Sequence, residues 1–336
     1  MKRVLLVSQT DAGFHSKLTK KTQEAFNGWK VSTITPPVCH FASYTNKVHY
    51  IRLIDPMTLW KEIYFCRELD ASLAPISFTL LGLSEILRDS HKKAAVHELE
   101  KFDCIDRIFV FTIHPESLKA HCKEINFLQS DKVVFLHEPP YEETSFYRSS
   151  TYLSARTALF ANEIPIDASV VLYFGTYFFS KGPDLLLEVA KQLPRVHFFF
   201  VGDTKLGSIT INKADFADFY NIHFVDRYVS DEEASLWFQA TDLVALPYRK
   251  FYEHDTSGIF NQAMQARRPV IMPNFSPFSN LFAELGNGVG KIFIPEDTES
   301  LKYQIEVFFK CNLWPGNVFD EYLSKIEGWN CIGELV

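Results

Sequence analysis

The sequence predicts an α/β protein with two domains, each built on a parallel β-sheet with helices on both faces. At 336 residues the chain exceeds the usual size of one compact core, and 31 Phe with 47% hydrophobic residues supply material for two. Short apolar runs alternate with longer amphipathic stretches, which is the pattern of β-α-β units. A Pro-containing connector at residues 162–167 precedes a new strong strand, so we place the domain boundary there.

In the first half, three apolar runs are predicted to be strands, each followed by a polar or Pro-containing loop: Val4–Val7, Arg107–Ile113 and Lys132–Leu136. The segment Ser84–Leu99 is predicted to be helical, whereas Cys39–Asp55 receives no assignment. Ligands of parallel sheets bind at the carboxyl ends of the strands, so the loops after these strands are the places to look for functional side chains.

The second half shows the same alternation of strands and helices, with strands predicted at Ser169–Phe174, His197–Val201 and Asp242–Leu246. Helices are predicted at Gly182–Leu193, which has one apolar face, and at Ile259–Ala266. Ser230, with Glu233 three positions later, forms a capping box that opens a further helix ending at Ala240.

Composition excludes several classes of protein. A net charge of −7 and a pI near 5.9 argue against a protein that coats nucleic acid. The six cysteines are scattered without a C-x-x-C pair, which predicts reduced thiols rather than a zinc knuckle or a disulfide framework. The first apolar run stops at Ser8, too short for a signal peptide, and no run approaches the ~18 apolar residues of a membrane span. We expect a cytoplasmic protein, with peripheral membrane contact left open.

A series of motifs occupies the region from about Val170 to Pro295. A glycine loop followed by Lys-Gly and a helix comes first, at Phe174–Glu188, and a strand ending in Val-Gly-Asp follows at Phe200–Asp203. A capped helix then begins within Arg227–Glu233, a strand ending in Pro-Tyr-Arg occupies Thr241–Arg249, and a short polar turn occupies Thr256–Ile259. In this order and spacing they resemble the nucleotide-binding domain of the large retaining glycosyltransferase family four. Arg268–Ile271 and the closing Gly328–Ile332 are similar to later parts of that family's pattern.

The resemblance implies the GT-B fold, in which two Rossmann-like domains face an interdomain cleft. Residues 1–164 would form the acceptor-side domain, residues 165–315 the nucleotide-sugar-binding domain, and residues 316–336 a C-terminal helix returning to the first domain. The implied activity is that of a retaining hexosyltransferase, which moves a sugar from a nucleotide diphosphate sugar to an acceptor hydroxyl. Glycan, lipid-linked and protein acceptors all fit. The sequence has no D-x-D triplet, so we expect neither a metal nor any other cofactor.

A departing nucleoside diphosphate must be met by cations and backbone amides. Lys181 is the leading cation, because a lysine at a helix start opposes the helix dipole unless it has another purpose. Gly175 and Thr176 lie in the same loop, and Thr176 stands where the family commonly has an arginine. Arg249 and Arg227 are candidates to replace that lost contact.

The segment Thr256-Ser257-Gly258 precedes a helical run, so its free amides and short hydroxyls can bind a phosphate; the alternative is an ordinary helix cap. The family's pair of glutamates is absent, since His254 and Gln262 occupy those positions, with Glu253 adjacent to the first. Gln262 can still hydrogen-bond a ribose hydroxyl.

In the first half, Gly13 follows the first strand and resembles the family's loop under the donor phosphate, although a plain turn glycine explains it nearly as well. His137 ends another predicted strand and resembles the histidine that faces the transferred sugar. His114 occupies a comparable place. We expect His137 and Lys181 to serve catalysis.

Two other functions remain open at this point. A nucleotide-sugar epimerase or hydrolase on the same fold would use similar phosphate contacts without an acceptor. A non-catalytic sugar-nucleotide-binding protein is favoured by the departures at Thr176, His254 and Gln262.

Overall fold

The computed structural model of the protein describes residues 2–8, 14–34, 45–53, 55–69, 74–139, 146–148, 150–160, 163–311 and 317–326. The chain divides into two compact units. The first comprises Met1–Tyr141, His254–Thr256 and Lys325–Val336, and the second comprises Glu142–Glu253 and Ser257–Ser324.

Within the described ranges, the first unit contains a six-stranded parallel sheet in the order β2-β1-β3-β4-β5-β6. Its strands are β1 (Arg3–Val7), β2 (Lys30–Ile34), β3 (Lys47–Leu53), β4 (Ile76–Leu80), β5 (Ile105–Thr112) and β6 (Val133–His137). Its helices are α1 (Phe14–Ala25), α2 (Pro56–Leu69), α3 (Leu83–Arg88), α4 (Ser90–Lys101) and α5 (Pro115–Glu124).

The first strand shows why its sequence is apolar throughout. Leu5 and Val7 pack into the cluster that contains the α2 residues Leu59 and Ile63. Val4 and Leu6 point to the opposite face and pack with Leu18, Ala25 and Phe26 of and beside α1. A parallel strand covered on both faces needs apolar side chains at successive positions, as predicted from the run at residues 4–7.

The second unit repeats this architecture with a sheet that, in the described ranges, has six parallel strands in the order β12-β11-β10-β7-β8-β9. The strands are β7 (Ser169–Phe174), β8 (Val196–Val201), β9 (Ile222–Val225), β10 (Leu243–Ala245), β11 (Val270–Pro273) and β12 (Gly290–Phe293). The helices are α6 (Tyr152–Phe160), α7 (Pro183–Gln192), α8 (Asp231–Ala240), α9 (Gly258–Gln265), α10 (Ser276–Leu285), α11 (Thr298–Cys311) and α12 (Val318–Lys325).

The helical prediction at residues 84–99 is confirmed, and the structure divides the segment into α3 and α4 with a break at Asp89. The Asp89 backbone is extended (φ −95°, ψ 109°), and its carboxylate accepts hydrogen bonds from the amides of His91 and Lys92 at 2.9 and 3.1 Å. A short acidic side chain satisfies the first amides of a new helix better than it serves a helix interior.

The boundary between the units differs from the predicted one at residues 164 and 165. Helix α6 belongs to the second unit, where Phe160 stacks on Phe199 of β8 with ring centroids 4.7 Å apart. The connector at residues 163–167 is therefore internal to that unit. The buried Arg156 of α6 fixes it by donating hydrogen bonds to the carbonyls of Ile166 and Ala168, both at 2.7 Å.

The C-terminal helix α12 packs on the second unit. Tyr322 donates a hydrogen bond to the Asn261 amide oxygen at 2.7 Å, and Arg267 pairs with Asp320 at 2.5 Å. The predicted return to the first domain concerns residues that continue past 326, outside the described residues, and stays a prediction.

Three cysteines in the described ranges are free thiols: Cys104, Cys122 and Cys311. Burial raises the pKa of the Cys122 thiol to about 12, so this side chain is a neutral core residue at physiological pH. Among the helices of the described ranges, none combines the length and apolar character that crossing a bilayer requires.

Candidate functional site in the second unit

The strand order of the second sheet locates a crevice at its carboxyl edge. Strand β7 lies between β10 and β8, so the chain leaves β7 toward one edge of the sheet and leaves β10 toward the other. Open α/β sheets bind ligands outside the carboxyl ends of the two strands at such a switch point. The residues that follow are Gly175 after β7 and the loop that starts at Leu246 after β10.

The two loops meet at Gly182, which caps α7. Its φ of +62° lies in the left-handed region, and a Cβ at this position would overlap the carbonyl oxygen of Pro247 in the β10 loop. The contact leaves room for glycine alone. The Lys-Gly pair of the sequence is thus explained: the glycine lets the loops close together, and Lys181 reaches back over the strand end.

Lys181 is half-buried beside the glycine loop. Its ammonium nitrogen lies 3.4 Å from the point that a Cβ on Gly175 would occupy, and the Ile259 side chain of α9 lies 3.8 Å from the same point. No carboxylate among the described residues forms an ion pair with it. Burial lowers the pKa of the Lys181 ammonium to about 8. A lysine held in this way, without a protein counter-ion, is arranged for an anionic ligand.

The first turn of helix α9 lies near this lysine, since Ile259 and the Lys181 ammonium both approach Gly175. Ser257 is the N-cap: its hydroxyl accepts from the Phe260 amide at 3.1 Å and pairs with the Tyr248 hydroxyl at 2.7 Å. The helix-cap interpretation of Ser257 is therefore confirmed. In the described part of the chain, the amides of Gly258 and Ile259 keep no acceptor, as is usual for a first helical turn. A Cβ on Gly258 would meet no atom within 4 Å, so open space lies before the helix.

Gln262 lies one helical turn after Gly258 and so on the same face of α9. Its Oε1 atom is buried and, among the described residues, has no hydrogen-bond partner. An acceptor left without a donor in a buried place costs free energy unless a ligand or water supplies one. Gln262 thus fits the predicted role of accepting a hydrogen bond from a ligand hydroxyl.

Arg249 is held by protein groups. Its guanidinium binds the Asp184 carboxylate at 2.9 and 2.6 Å and the carbonyl of Phe179 at 2.8 Å. Arg227 is likewise paired with Glu233 at 2.6 Å. The Thr176 carbonyl accepts from the Tyr173 hydroxyl at 3.0 Å. The phosphate contact of Arg249 stays a prediction.

The remaining predicted residues lie elsewhere. Thr256 and His254 group with the first unit, and Gly13 lies outside the described residues. His137 ends β6 beside Thr112 of β5. His114 has a structural role, because it is the N-cap of α5 and its Nδ1 accepts from the Ser117 amide at 3.1 Å.

Sequence reasoning missed Ser208, which supports the glycine loop. Its hydroxyl accepts from the Phe179 amide at 2.8 Å, and the amides of Ser208 and Ile209 donate to the Tyr177 carbonyl at 3.1 Å. The contact joins residues about thirty positions apart in a segment without a motif, so only the folded chain reveals it.

The region that contains this site matches a known family. Residues 168–310 match the family model described as glycosyl transferases group 1. The second unit carries a group 1 glycosyltransferase domain. The matched segment begins at β7 and includes Gly175, Lys181, α9 and Gln262, so the candidate site lies within this domain. No curated protein sequence matches the chain significantly.

Solved structures show the fold of the whole chain. Sucrose-phosphate synthase from Thermosynechococcus elongatus has a TM-score of 0.71 at 14% identity, covering 99% of this chain and 97% of that one. HepE from Anabaena in complex with UDP has a TM-score of 0.70 at 13% identity, covering 98% and 97%. WaaG, a glycosyltransferase involved in lipopolysaccharide biosynthesis, has a TM-score of 0.61 at 12% identity, covering 99% and 97%. At these identities the likeness establishes the GT-B fold of the chain and nothing finer.

The open space before Gly258 leads to a first prediction. Gly258→Ala is expected to leave the melting temperature of the protein unchanged or slightly raised, because alanine is the better helix former. The added methyl would occupy the approach to the α9 amides and weaken nucleoside diphosphate binding roughly 10-fold. Isothermal titration calorimetry and thermal melting on the same samples separate the two effects, and unchanged affinity would remove Gly258 from the site.

Proposed function

We propose that this protein is a retaining glycosyltransferase whose donor is a nucleotide diphosphate sugar, bound mainly by the second unit and used in glycan, polysaccharide or glycolipid assembly. The observation that carries the donor site is Lys181, half-buried over Gly175 without an ion-pair partner in the described ranges. The solved HepE structures with UDP, and with UDP and glucose, are consistent with such a donor. The resemblance to the retaining family supports the stereochemistry.

The proposed chemistry assigns one role to each feature. The ammonium of Lys181 and the α9 amides stabilise the charge that develops on the departing diphosphate, so no divalent cation is required. Gln262 accepts a hydrogen bond from a hydroxyl of the ribose. The acceptor hydroxyl then attacks the anomeric carbon as the bond to the diphosphate breaks, and its proton passes to the leaving phosphate oxygen.

A panel of nucleotide sugars tested by thermal shift examines the proposal directly. A donor that binds only the folded protein raises the melting temperature by mass action. At 100 times its dissociation constant, it adds about 2.7 kcal/mol to the free energy of unfolding. One base and sugar should stand out, and the bare nucleoside diphosphate should give part of the shift. A panel in which no compound shifts the wild-type protein would contradict the proposal.

The acidity of Lys181 predicts how binding depends on pH. Its pKa is about 8 in the free protein, and a bound diphosphate raises it by stabilising the ammonium form. Since the complex then holds the proton more tightly, UDP affinity is expected to be full below pH 8 and to fall above it, by up to about 10-fold per pH unit. Calorimetric titrations from about pH 7 to 9.5 measure this dependence.

The matched control is Lys181→Arg, whose guanidinium stays charged throughout that range and should give a nearly flat profile. An equally steep loss of affinity in this variant would show that another group titrates.

The two histidines of the first unit are predicted to respond differently. His137→Ala is expected to lower kcat by about 100-fold while nucleoside diphosphate affinity stays nearly normal, since an imidazole beside the transferred sugar acts mainly in the transition state. His114→Ala should instead lower stability by about 1 kcal/mol through loss of the α5 cap, with little change in kcat. Turnover and chemical denaturation of both variants decide the assignment, which fails if His114→Ala is the more damaging change to kcat.

A further inference from the structure

Large aromatic side chains are exposed on the second unit beside the glycine loop. Phe179 and Phe251 are each 47% exposed, and the centroids of their rings lie 6.0 Å apart at an angle of 71°. We name this pair the aromatic platform. Two exposed phenylalanines in contact are unusual on a soluble domain and mark a surface that binds something.

The platform is held rigidly from the protein side. The Phe179 amide donates to the Ser208 hydroxyl and its carbonyl accepts from Arg249, both at 2.8 Å. The guanidinium of Arg249 also lies 4.0 Å from the ring centroid, and this arginine is only 6% exposed. Asp184 in turn fixes Arg249 through two hydrogen bonds. A surface ordered before binding loses little conformational entropy when a ligand arrives.

The surroundings favour a carbohydrate over an anionic membrane surface. Asp184 is 42% exposed, and Glu296, which is 48% exposed, lies 3.7 Å from Arg249 Nε. The two carboxylates offset Arg249 and the exposed Lys250 that precedes Phe251, so these four residues give an anionic membrane no net attraction. A sugar ring presents an apolar C–H face to an aromatic ring and hydroxyl donors to neighbouring carboxylates, and it meets both features here.

The contacts of the loop separate this surface from the phosphate site. The Lys181 ammonium lies beside Gly175 and Ile259, whereas the Phe179 ring contacts Arg249 and Phe251. A ring stacked on the platform therefore contacts side chains other than those assigned to the diphosphate. We propose that Phe179 and Phe251 bind a sugar ring of the acceptor glycan, an inference that rests on the proposed glycosyl transfer.

Saturation-transfer difference NMR with maltotriose, cellotriose and chitotriose tests this surface. The wild-type protein is expected to transfer saturation to ring C–H protons of at least one of these, with an affinity reduced about 10-fold in Phe179→Ala/Phe251→Ala. Phe179→Leu/Phe251→Leu keeps apolar area but removes the ring faces, and it should show the same loss if stacking is responsible. Phe65→Ala is the matched control, since Phe65 of α2 is 58% exposed but lies in the first unit.

UDP affinity, measured on the same samples, distinguishes the two proposals. Unchanged UDP binding in the platform variants, together with lost saccharide binding, supports the inference. UDP binding without any saccharide response in the wild type overturns the platform alone, whereas saccharide binding without UDP binding overturns the donor site. Loss of self-association or of vesicle binding in the platform variants, with saccharide binding intact, would assign the surface to a second copy or to a membrane and overturn the inference.

Discussion

Replacement of Lys181 by alanine is expected to lower kcat/KM for the nucleotide sugar by about 100-fold, the scale of losing one contact to a developing anion. The fold should not suffer. Burial already disfavours the charged form of this lysine, as its pKa of about 8 shows, and no ion pair within the described ranges is lost with it. The variant should therefore melt at the wild-type temperature or slightly above it, although its kcat/KM is greatly reduced. Release of nucleoside diphosphate, followed with the donor selected by thermal shift, measures the effect.

Lys191 of α7, the helix that follows Lys181, provides the control. It lies on the outer surface of α7, 30% exposed and 2.8 Å from Glu188, so Lys191→Ala should leave turnover unchanged. Lys181→Arg should keep more activity than Lys181→Ala, because the positive charge is kept but the guanidinium differs from the ammonium in position and shape. Near-normal kcat/KM in Lys181→Ala would remove this lysine from the site and with it the main support for the proposed donor contacts.

Replacement of Arg156 by methionine is expected to be the most destabilising single change outside the site. The fully buried guanidinium donates to the carbonyls of Ala240, Ile166 and Ala168 and to the Asp242 carboxylate, at 2.6–2.8 Å. Methionine fills similar volume but leaves these acceptors without their donors. Breaking a buried pair in this way costs about 3–5 kcal/mol, which corresponds to a fall in melting temperature of roughly 10 °C for a unit of this size.

An exposed arginine of the same unit gives the comparison. Arg267 pairs with Asp320 at 2.5 Å, but both side chains are about half exposed, so Arg267→Ala should cost less than about 1 kcal/mol. Chemical denaturation of the two variants, monitored by circular dichroism, compares them directly. Equal losses of stability would show that α6 is not anchored through Arg156, and the inclusion of residues 163–167 in the second unit would lose its physical basis.

Local patterns predicted the strands well where one physical cause acts alone. The runs at residues 4–7 and 169–174 are buried on both faces of parallel sheets, and burial on both faces requires apolar side chains at every position. Ser230 caps α8 by accepting from the Glu233 amide at 3.2 Å, as its spacing to Glu233 predicted. Asp89 shows the limit: its neighbours favour a helix, but its side chain competes for their amides and breaks it.

The residues of the site divide in the same way. Lys181, Gly175 and Gly258 could be selected from the sequence, because a glycine loop before Lys-Gly and a polar turn before a helix have few other uses. Arg249 looked equally suitable for a phosphate, and only the folded chain shows that Asp184, sixty-five residues earlier, already binds it. The partner of an arginine depends on which carboxylate lies near it in the folded chain, and sequence spacing does not indicate that carboxylate.

By itself the sequence determined the α/β class, the repetition of the fold in two halves, the positions of most strands and the family of the second half, since these follow from local periodicity and short motifs. The tertiary structure alone decided that α6 and the connector belong to the second unit, that Asp184 binds Arg249 and that Lys181 stands beside α9. Each of these depends on which distant segments pack together, and that choice is set by the burial of a few polar groups, such as Arg156, whose partners lie up to 86 residues away.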